Sequence, residues 1–457
     1  MVGTTQCLYE MRNRIVASEI LTSGFCPFNC SYCYIPKTDM MKQLHERIVE
    51  SLESGRFIDT LSKLYGKNLQ SLGLWGTEPL LTLPIIQKYV PTLLERFPRL
   101  NELSFSTSMM YKPGVLVDFI KSLTPTRPFK LKVQISLDGP DFITDVNRMK
   151  GAAEKIPENF LSVVKSLNDV DLDQLSVEFK WKVTFSIDNI KLFVEQPGKI
   201  DEFVAYFEDI NRRFKEVNRN RRVSLLYGTY CPTLVVPGKY TSSDGRLFAR
   251  FLDLMYGKGY KDSYYYRLKR LIRNSGETLK RHVFSCSGGD SNLGVEPDTF
   301  HICHRTFYYD DDEYIQSVLK TNIENWDVSN FTRGAVDYMR KFYIVPVDDE
   351  YEQARFFYVL RGYHDFWKLQ ISYVTTMVRE LALIGQASKI YLDDDIALMF
   401  ALFINSATSC PMENLLNTSA IHFQTISMIR MFANGAFERI LKEVLKDELS
   451  GRKQCTC

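Results

Sequence analysis

The chain has 457 residues, 45% of them apolar and 25% charged, with a formal net charge of +2. That is the make-up of a soluble globular protein of about two or three domains, and it excludes a global basic field that recruits nucleic acid. Residues 1–14 carry no signal-peptide pattern and the longest apolar run, 396–404, is too short to span a membrane, so a cytoplasmic protein with no membrane partner is expected.

From residue 15 to about 227, short β-rich runs alternate with helical stretches. Strands are predicted at 15–21, 71–75, 102–106, 130–137, 176–186 and 223–227. Helices are predicted at 39–54, 57–65, 84–96, 115–123, 157–167 and 200–217. Repeats of this length predict an α/β fold with a parallel sheet and right-handed crossovers. Residues 1–230 form the first expected domain. Residues 231–325 are irregular, with Gly, Pro and Cys punctuation. Residues 326–457 read as mainly helical, with Phe356, Leu360, Tyr363 and Trp367 at helical spacing. Two charge runs, Arg212 to Arg222 and Asp310 to Glu313, read first as solvated faces and second as docking patches for a charged peptide.

The chemistry concentrates in Cys26-Pro27-Phe28-Asn29-Cys30-Ser31-Tyr32-Cys33-Tyr34. Three thiols stand at C-x3-C-x2-C spacing just after the first predicted strand. A four-iron cluster takes four thiolates, so three local ones leave an iron open. Three cysteines and a distant fourth ligand also suit zinc. A disulfide reading is weaker, because three is odd. The ten cysteines of an unexported chain point to metal in a reducing compartment.

This segment resembles the cluster motif of the radical S-adenosylmethionine (SAM) enzymes. The resemblance implies a partial (β/α)6 barrel with its function at the C-terminal strand ends. It also implies a [4Fe-4S] cluster on Cys26, Cys30 and Cys33, with SAM on the open iron. Trp75-Gly76-Thr77-Glu78-Pro79 is similar to that family's Gly-Gly-Glu-Pro motif, with Thr77 in place of the second Gly. By resemblance, Gly76, Thr77 and Glu78 hold the amino group of SAM. A turn whose Pro79 starts a helix is the plainer reading. Ser106, at the end of the third strand, is the position of a polar residue near SAM, or an ordinary hydroxyl cap. Ile135-Ser136-Leu137-Asp138-Gly139-Pro140, followed by Asp145 and Arg148, resembles the SPASM/twitch branch. There Ser136 and Asp138 lie near the ribose or substrate and Arg148 pairs with the SAM carboxylate, a bidentate task that suits a guanidinium. For Asp145, a cap or a structural salt bridge stands equal to a direct role.

Cys286-Ser287-Gly288-Gly289 and the stretch from Val295 to His304 look like the start of a SPASM or twitch segment, with Thr299 in place of the usual Gly. The full pattern has further close cysteines, which are missing. The resemblance therefore implies one auxiliary [4Fe-4S] cluster on Cys286, Cys303 and Cys410, with Cys231 as the leading fourth ligand. Cys231 and Cys410 are otherwise buried apolar thiols. His304 follows Cys303 where sulfatase maturases carry an acidic base, and is the candidate catalytic residue. Fourteen residues before the first strand are too few for a leader-binding domain. The expected function is oxidative crosslinking of a ribosomally made peptide, with a reductant such as flavodoxin or ferredoxin. A protein side-chain maturase, a small-molecule dehydrogenase or epimerase, and a non-catalytic iron–sulfur scaffold are the alternatives.

Overall fold

A computed structural model of the chain describes residues 13–226 except 34, 36 and 111, scattered residues between 247 and 259, residues 291–302, 304 and 307, and residues 344–357. The first five strands are β1 (Ala17–Ser23), β2 (Ser71–Gly76), β3 (Glu102–Thr107), β4 (Phe129–Ser136) and β5 (Leu175–Lys182). β6 (Val223–Leu225), β7 (Asn292–Val295), β8 (Thr299–His301) and β9 (Ile344–Pro346) follow. All nine make one sheet in the order β6-β5-β4-β3-β2-β1-β7-β8-β9. Every pair from β6 across to β7 is parallel, and β7-β8-β9 is an antiparallel meander.

Helices connect the parallel strands. They are α1 (Asp39–Glu53), α2 (Arg56–Tyr65), α3 (Leu83–Ile86), α4 (Val90–Arg96), α5 (Pro113–Ser122), α6 (Asp141–Asn147), α7 (Ala152–Ser166), α8 (Ile187–Glu195) and α9 (Gly198–Val217). Consecutive parallel strands joined by right-handed crossovers place all their helices on one face. Burial agrees with that rule. On β4 and β5 the residues alternate strictly between buried and half-buried. Leu131, Val133, Ile135, Val177 and Phe179 are fully buried on the helix side. Each such side chain contributes about 1.5–3 kcal/mol by leaving water. The other face carries Lys130, Lys132, Gln134 and Ser136 on β4, with Ser176, Glu178, Lys180 and Lys182 on β5. It is called the inner face below.

Three predicted elements, two helices and a strand, differ from the observed ones, each for a local reason. The predicted helix 84–96 is broken into α3, a 3-10 turn and α4, because Pro91 has no N–H to continue the ladder. The predicted strand 176–186 stops at Lys182, and Ser186 caps α8, which the sequence reading missed; its hydroxyl accepts from the Asn189 N–H. The helix predicted to start at Pro157 starts at Ala152. Gly151 enters it at φ +80°, and Asp145 accepts from the N–H groups of Gly151 (2.6 Å) and Ala153 (2.8 Å). The cap reading of Asp145 is therefore the observed one. Arg212 pairs with Asp209 and Glu216, and Arg213 with Glu158, as a solvated helix face does.

Pro157 lies inside α7 and cannot donate to the Ala153 carbonyl four residues back. The Tyr206 hydroxyl of α9 donates to that carbonyl instead. Tyr206→Phe should cost about 1 kcal/mol in urea unfolding. The same change made in a Pro157→Ala background should cost clearly less, since the backbone donor is then restored.

Candidate active site

The loop after β1 carries Cys26, Cys30 and Cys33, all three as free thiols. Cys26 and Cys30 are half-buried and Cys33 is exposed. Burial pushes the Cys26 thiol up to about 11, and the neighbouring Glu78, Cys30 and Cys33 add to the rise. Burial also raises Cys30, against the opposing charge of Arg148. Both are thus neutral near pH 7, and a metal that binds them has to displace their protons.

Gly76 and Thr77 pin the start of this loop to β2. Gly76 sits at φ +141°, and a Cβ there would lie 2.5 Å from the Ser23 carbonyl oxygen, so only glycine fits. The Thr77 N–H donates to the same carbonyl at 3.1 Å. Its hydroxyl contacts Ser23 Oγ at 3.1 Å and donates to the Phe25 carbonyl, one residue before Cys26. The hydroxyl that replaces the family's second glycine therefore ties down the cysteine loop.

The far half of the loop docks on the end of β4. Asp138 is fully buried. Arg148 grips it with two bonds, Nε to Oδ2 and one terminal nitrogen to Oδ1, both 2.9 Å. The Tyr32 hydroxyl donates to Oδ2 at 2.6 Å, and the Thr184 N–H to Oδ1 at 2.9 Å. The guanidinium also lies 5.4 Å from the centre of the Tyr32 ring. Burial lowers the Arg148 pKa, but the charges of Asp138, Tyr32 and Cys30 and the hydrogen bond to Asp138 together outweigh it, and the net shift is upward. Burial and Asp138 together hold the Tyr32 phenol well above its ordinary value. The Ser31 N–H adds a bond to the Asn147 carbonyl at 2.8 Å.

Glu78 is buried too, and its carboxylate is saturated. Oε1 accepts from Thr107 Oγ1 (2.7 Å) and the Leu80 N–H (3.3 Å). Oε2 accepts from the Ser108 N–H (2.9 Å) and Ser108 Oγ (2.6 Å). The bond to Leu80 makes Glu78 the cap of the turn at Pro79, so the plainer reading of this motif is also present. Ser106 and Ser136 stand half-buried on the inner face, near the C-terminal ends of β3 and β4.

His304 is the most distant member in sequence. Its ring stacks on Trp75 with centroids 3.7 Å apart and planes 28° apart. Its Nδ1 is bonded to the Glu19 carboxylate of β1. Burial pushes Glu19 up, but the charge and hydrogen bond of His304, with a bond from Asn292, leave it below the usual carboxylate value. Glu19 and Trp75 had no role in the sequence reading. Period-two alternation on β1 and β2 places both on the inner face, but it does not say what meets them. Cys231, Cys286, Cys303 and Cys410 lie outside the described residues, as does the 310–313 acidic run.

Among the described residues no three His, Cys, Asp or Glu side chains stand ready-gathered around a single ion. The three free thiols of one loop nevertheless match the donor chemistry of an iron–sulfur cluster. Also among the described residues, no helix is long and apolar enough to cross a membrane.

No protein-family model matches the chain, and no curated protein matches it. Similar solved structures include a hexahistidine-tagged anSMEcpe with bound AdoMet, at 14% identity and a TM-score of 0.49, covering 96% of this chain and 97% of that one. Streptococcus suis SuiB bound to S-adenosylmethionine is 12% identical, with a TM-score of 0.39, covering 67% of this chain and 64% of that one. Escherichia coli coproporphyrinogen III oxidase (HemN), described as a radical SAM enzyme, is 12% identical with a TM-score of 0.36, covering 94% and 93%. At these scores the likenesses carry no weight in the reading below.

Asp138→Asn should strand the Arg148 charge in a buried site and cost about 3–5 kcal/mol in urea unfolding. Tyr32→Phe should cost about 1.5–3 kcal/mol, as a lost bond to a charged acceptor. Thr77→Val should leave global stability within about 1 kcal/mol. It should also speed the reaction of Cys26 with a thiol reagent, because the loop base loses its tie.

Proposed function

We propose that the chain is a radical SAM enzyme that oxidatively modifies a peptide. The observation that carries this reading is the set of three unpaired thiols on one loop, fixed across the C-terminal ends of β1, β2 and β4. Cys26, Cys30 and Cys33 would hold the cluster. When bound, a four-iron cluster with SAM supplies an electron and, from it, a 5′-deoxyadenosyl radical able to take hydrogen from an unactivated carbon.

The protein's own residues supply position. Gly76 lets the backbone approach closely, as an ammonium held by carbonyls requires. Glu78 gives up no lone pair cheaply, since four donors already hold it; its part is to fix the Thr107–Ser108 turn beside the cofactor. Arg148 keeps N–H groups beyond the two given to Asp138, and these are the ones for a carboxylate. Ser106 and Ser136 offer hydroxyls on the same side. His304, held by Glu19 and Trp75, is the group on the inner face that can accept a proton from a substrate.

The substrate proposed is a ribosomally made peptide, lying along the polar inner face of β2 to β5. Crosslinking is the proposed outcome, with flavodoxin or ferredoxin as reductant in the cytoplasm. An auxiliary cluster on Cys286, Cys303, Cys410 and Cys231 belongs to the same proposal.

Anaerobic reconstitution should load Cys26, Cys30 and Cys33 with about four irons beyond those retained by the triple-alanine variant. With dithionite and SAM the wild type should then release 5′-deoxyadenosine. A Cys30→Ala protein that releases it at the wild-type rate would falsify the reading.

A further inference from the structure

The cysteine loop runs between β1 and α1, and one charged side chain closes it. The Lys37 ammonium donates to the Phe28 carbonyl at 2.5 Å and to Asn29 Oδ1 at 2.9 Å. Phe28 and Asn29 lie in the spacer between Cys26 and Cys30. The bonds therefore join the two ends of the span 28–37, which contains Cys30 and Cys33. Lys37 is anchored in turn. It precedes Thr38, the cap of α1, whose hydroxyl accepts from the Met41 N–H at 3.3 Å. α1 buries Met41, Leu44, Ile48 and Leu52 in the core.

The same bonds hold Phe28 from both sides. Pro27 has no N–H, so Phe28 carries the first backbone donor after Cys26. That N–H is hydrogen-bonded to Cys26 and favours its anion, while the carbonyl of the same residue is held by Lys37. Hydrogen bonds to cluster sulfurs and the net charge around them set the potential of an iron–sulfur cluster. Lys37 bears on both. Its two acceptors are neutral oxygens, and no carboxylate pairs with it among the described residues. At Cys30 it favours the thiolate, as Arg148 does, while Cys33 and Asp138 oppose them. Arg148 is already committed to Asp138. The Lys37 charge has no such partner.

We infer that Lys37 is a positioning residue of the metal site, which closes the thiol loop and places a positive charge beside the thiolates that hold the cluster. The inference rests on the reading of Cys26, Cys30 and Cys33 as cluster ligands. Each bound thiolate brings a negative charge, and reduction adds another. An ammonium held nearby favours the reduced state and so raises the potential. Lys37 is exposed, so salt screens the effect.

The test compares Lys37→Met, Lys37→Gln and Lys37→Arg in the whole chain. After anaerobic reconstitution, Lys37→Met should lose iron to a chelator about tenfold faster than wild type, as expected of a lost charge-assisted bond. Lys37→Arg should hold iron as the wild type does. The cluster potential, followed by EPR in a redox titration, should fall in Lys37→Met and Lys37→Gln and stay in Lys37→Arg, and added salt should narrow the gap. A lysine that only braces the loop would not move the potential in this charge-dependent way, so an unchanged potential in both neutral variants overturns the charge role. The closure has a readout that needs no metal. In cluster-free protein, amide exchange over residues 26–35 should be faster in Lys37→Met than in wild type and equal elsewhere. Equal exchange over that span overturns the closure. A wild type that takes up no more iron than the Cys26, Cys30 and Cys33 triple-alanine protein would sink the cluster reading and the charge role with it. Faster exchange in Lys37→Met would then leave the closure alone standing.

Discussion

One buried carboxylate ties the site together. Asp138 takes four hydrogen bonds at the end of β4, from the cysteine loop, from the start of the β5–α8 turn and doubly from Arg148. Burying an ion pair contributes little net stability, because desolvation offsets the Coulombic gain. Its consequence here is positional. Tyr32 lies 106 residues before Asp138, and their bond fixes the cysteine loop over strands it does not adjoin in sequence. Without it, the loop is held at its base by Ser23 and Thr77 and farther along by the Ser31 N–H and by the Lys37 ammonium on the Phe28 carbonyl and Asn29 Oδ1.

Glu78 repeats the same device one strand pair away. It too is buried and fully bonded, and it joins the end of β2 to the end of β3. The two acidic residues that the motifs single out therefore serve first as internal fasteners. That changes the electrostatics offered to a ligand. Negative charge is spent within the wall, on bonds that fasten one strand end to the next.

The parallel strands were legible because each is a short β-rich run bounded by turn residues, and the observed order follows the sequence. β5 was read too long because Val183 and Phe185 continue the alternation of Phe179 and Trp181. The Thr184 N–H leaves the ladder for Asp138 instead, a choice no local pattern announces. The motifs around Cys26, Glu78 and Asp138 could be found from spacing. Their partners could not. Glu19 and His304 are 285 residues apart and share nothing in sequence but their chemistry. Trp75 read as part of a turn motif, whereas its ring is the platform for His304.

That platform depends on strand register. Over β1 to β6 the inner face is built from residues 17–225, and His304 reaches it from the β7–β8 hairpin side. The alignment comes from β1 and β7, paired from Ala17 with Asn292 to Ile20 with Val295. The Val16 and Ala17 N–H groups both donate to the Ser291 carbonyl, and Thr60 Oγ1 donates to the Pro297 carbonyl at 3.0 Å. A slip of one residue would turn Val295 and Leu293 to the opposite face of the sheet. A slip of two would keep the faces but carry the hairpin about 6–7 Å along the sheet. Either would part His304 from Glu19 and Trp75. The pairing of the four residues of β7 thus decides whether an imidazole stands over the face at all.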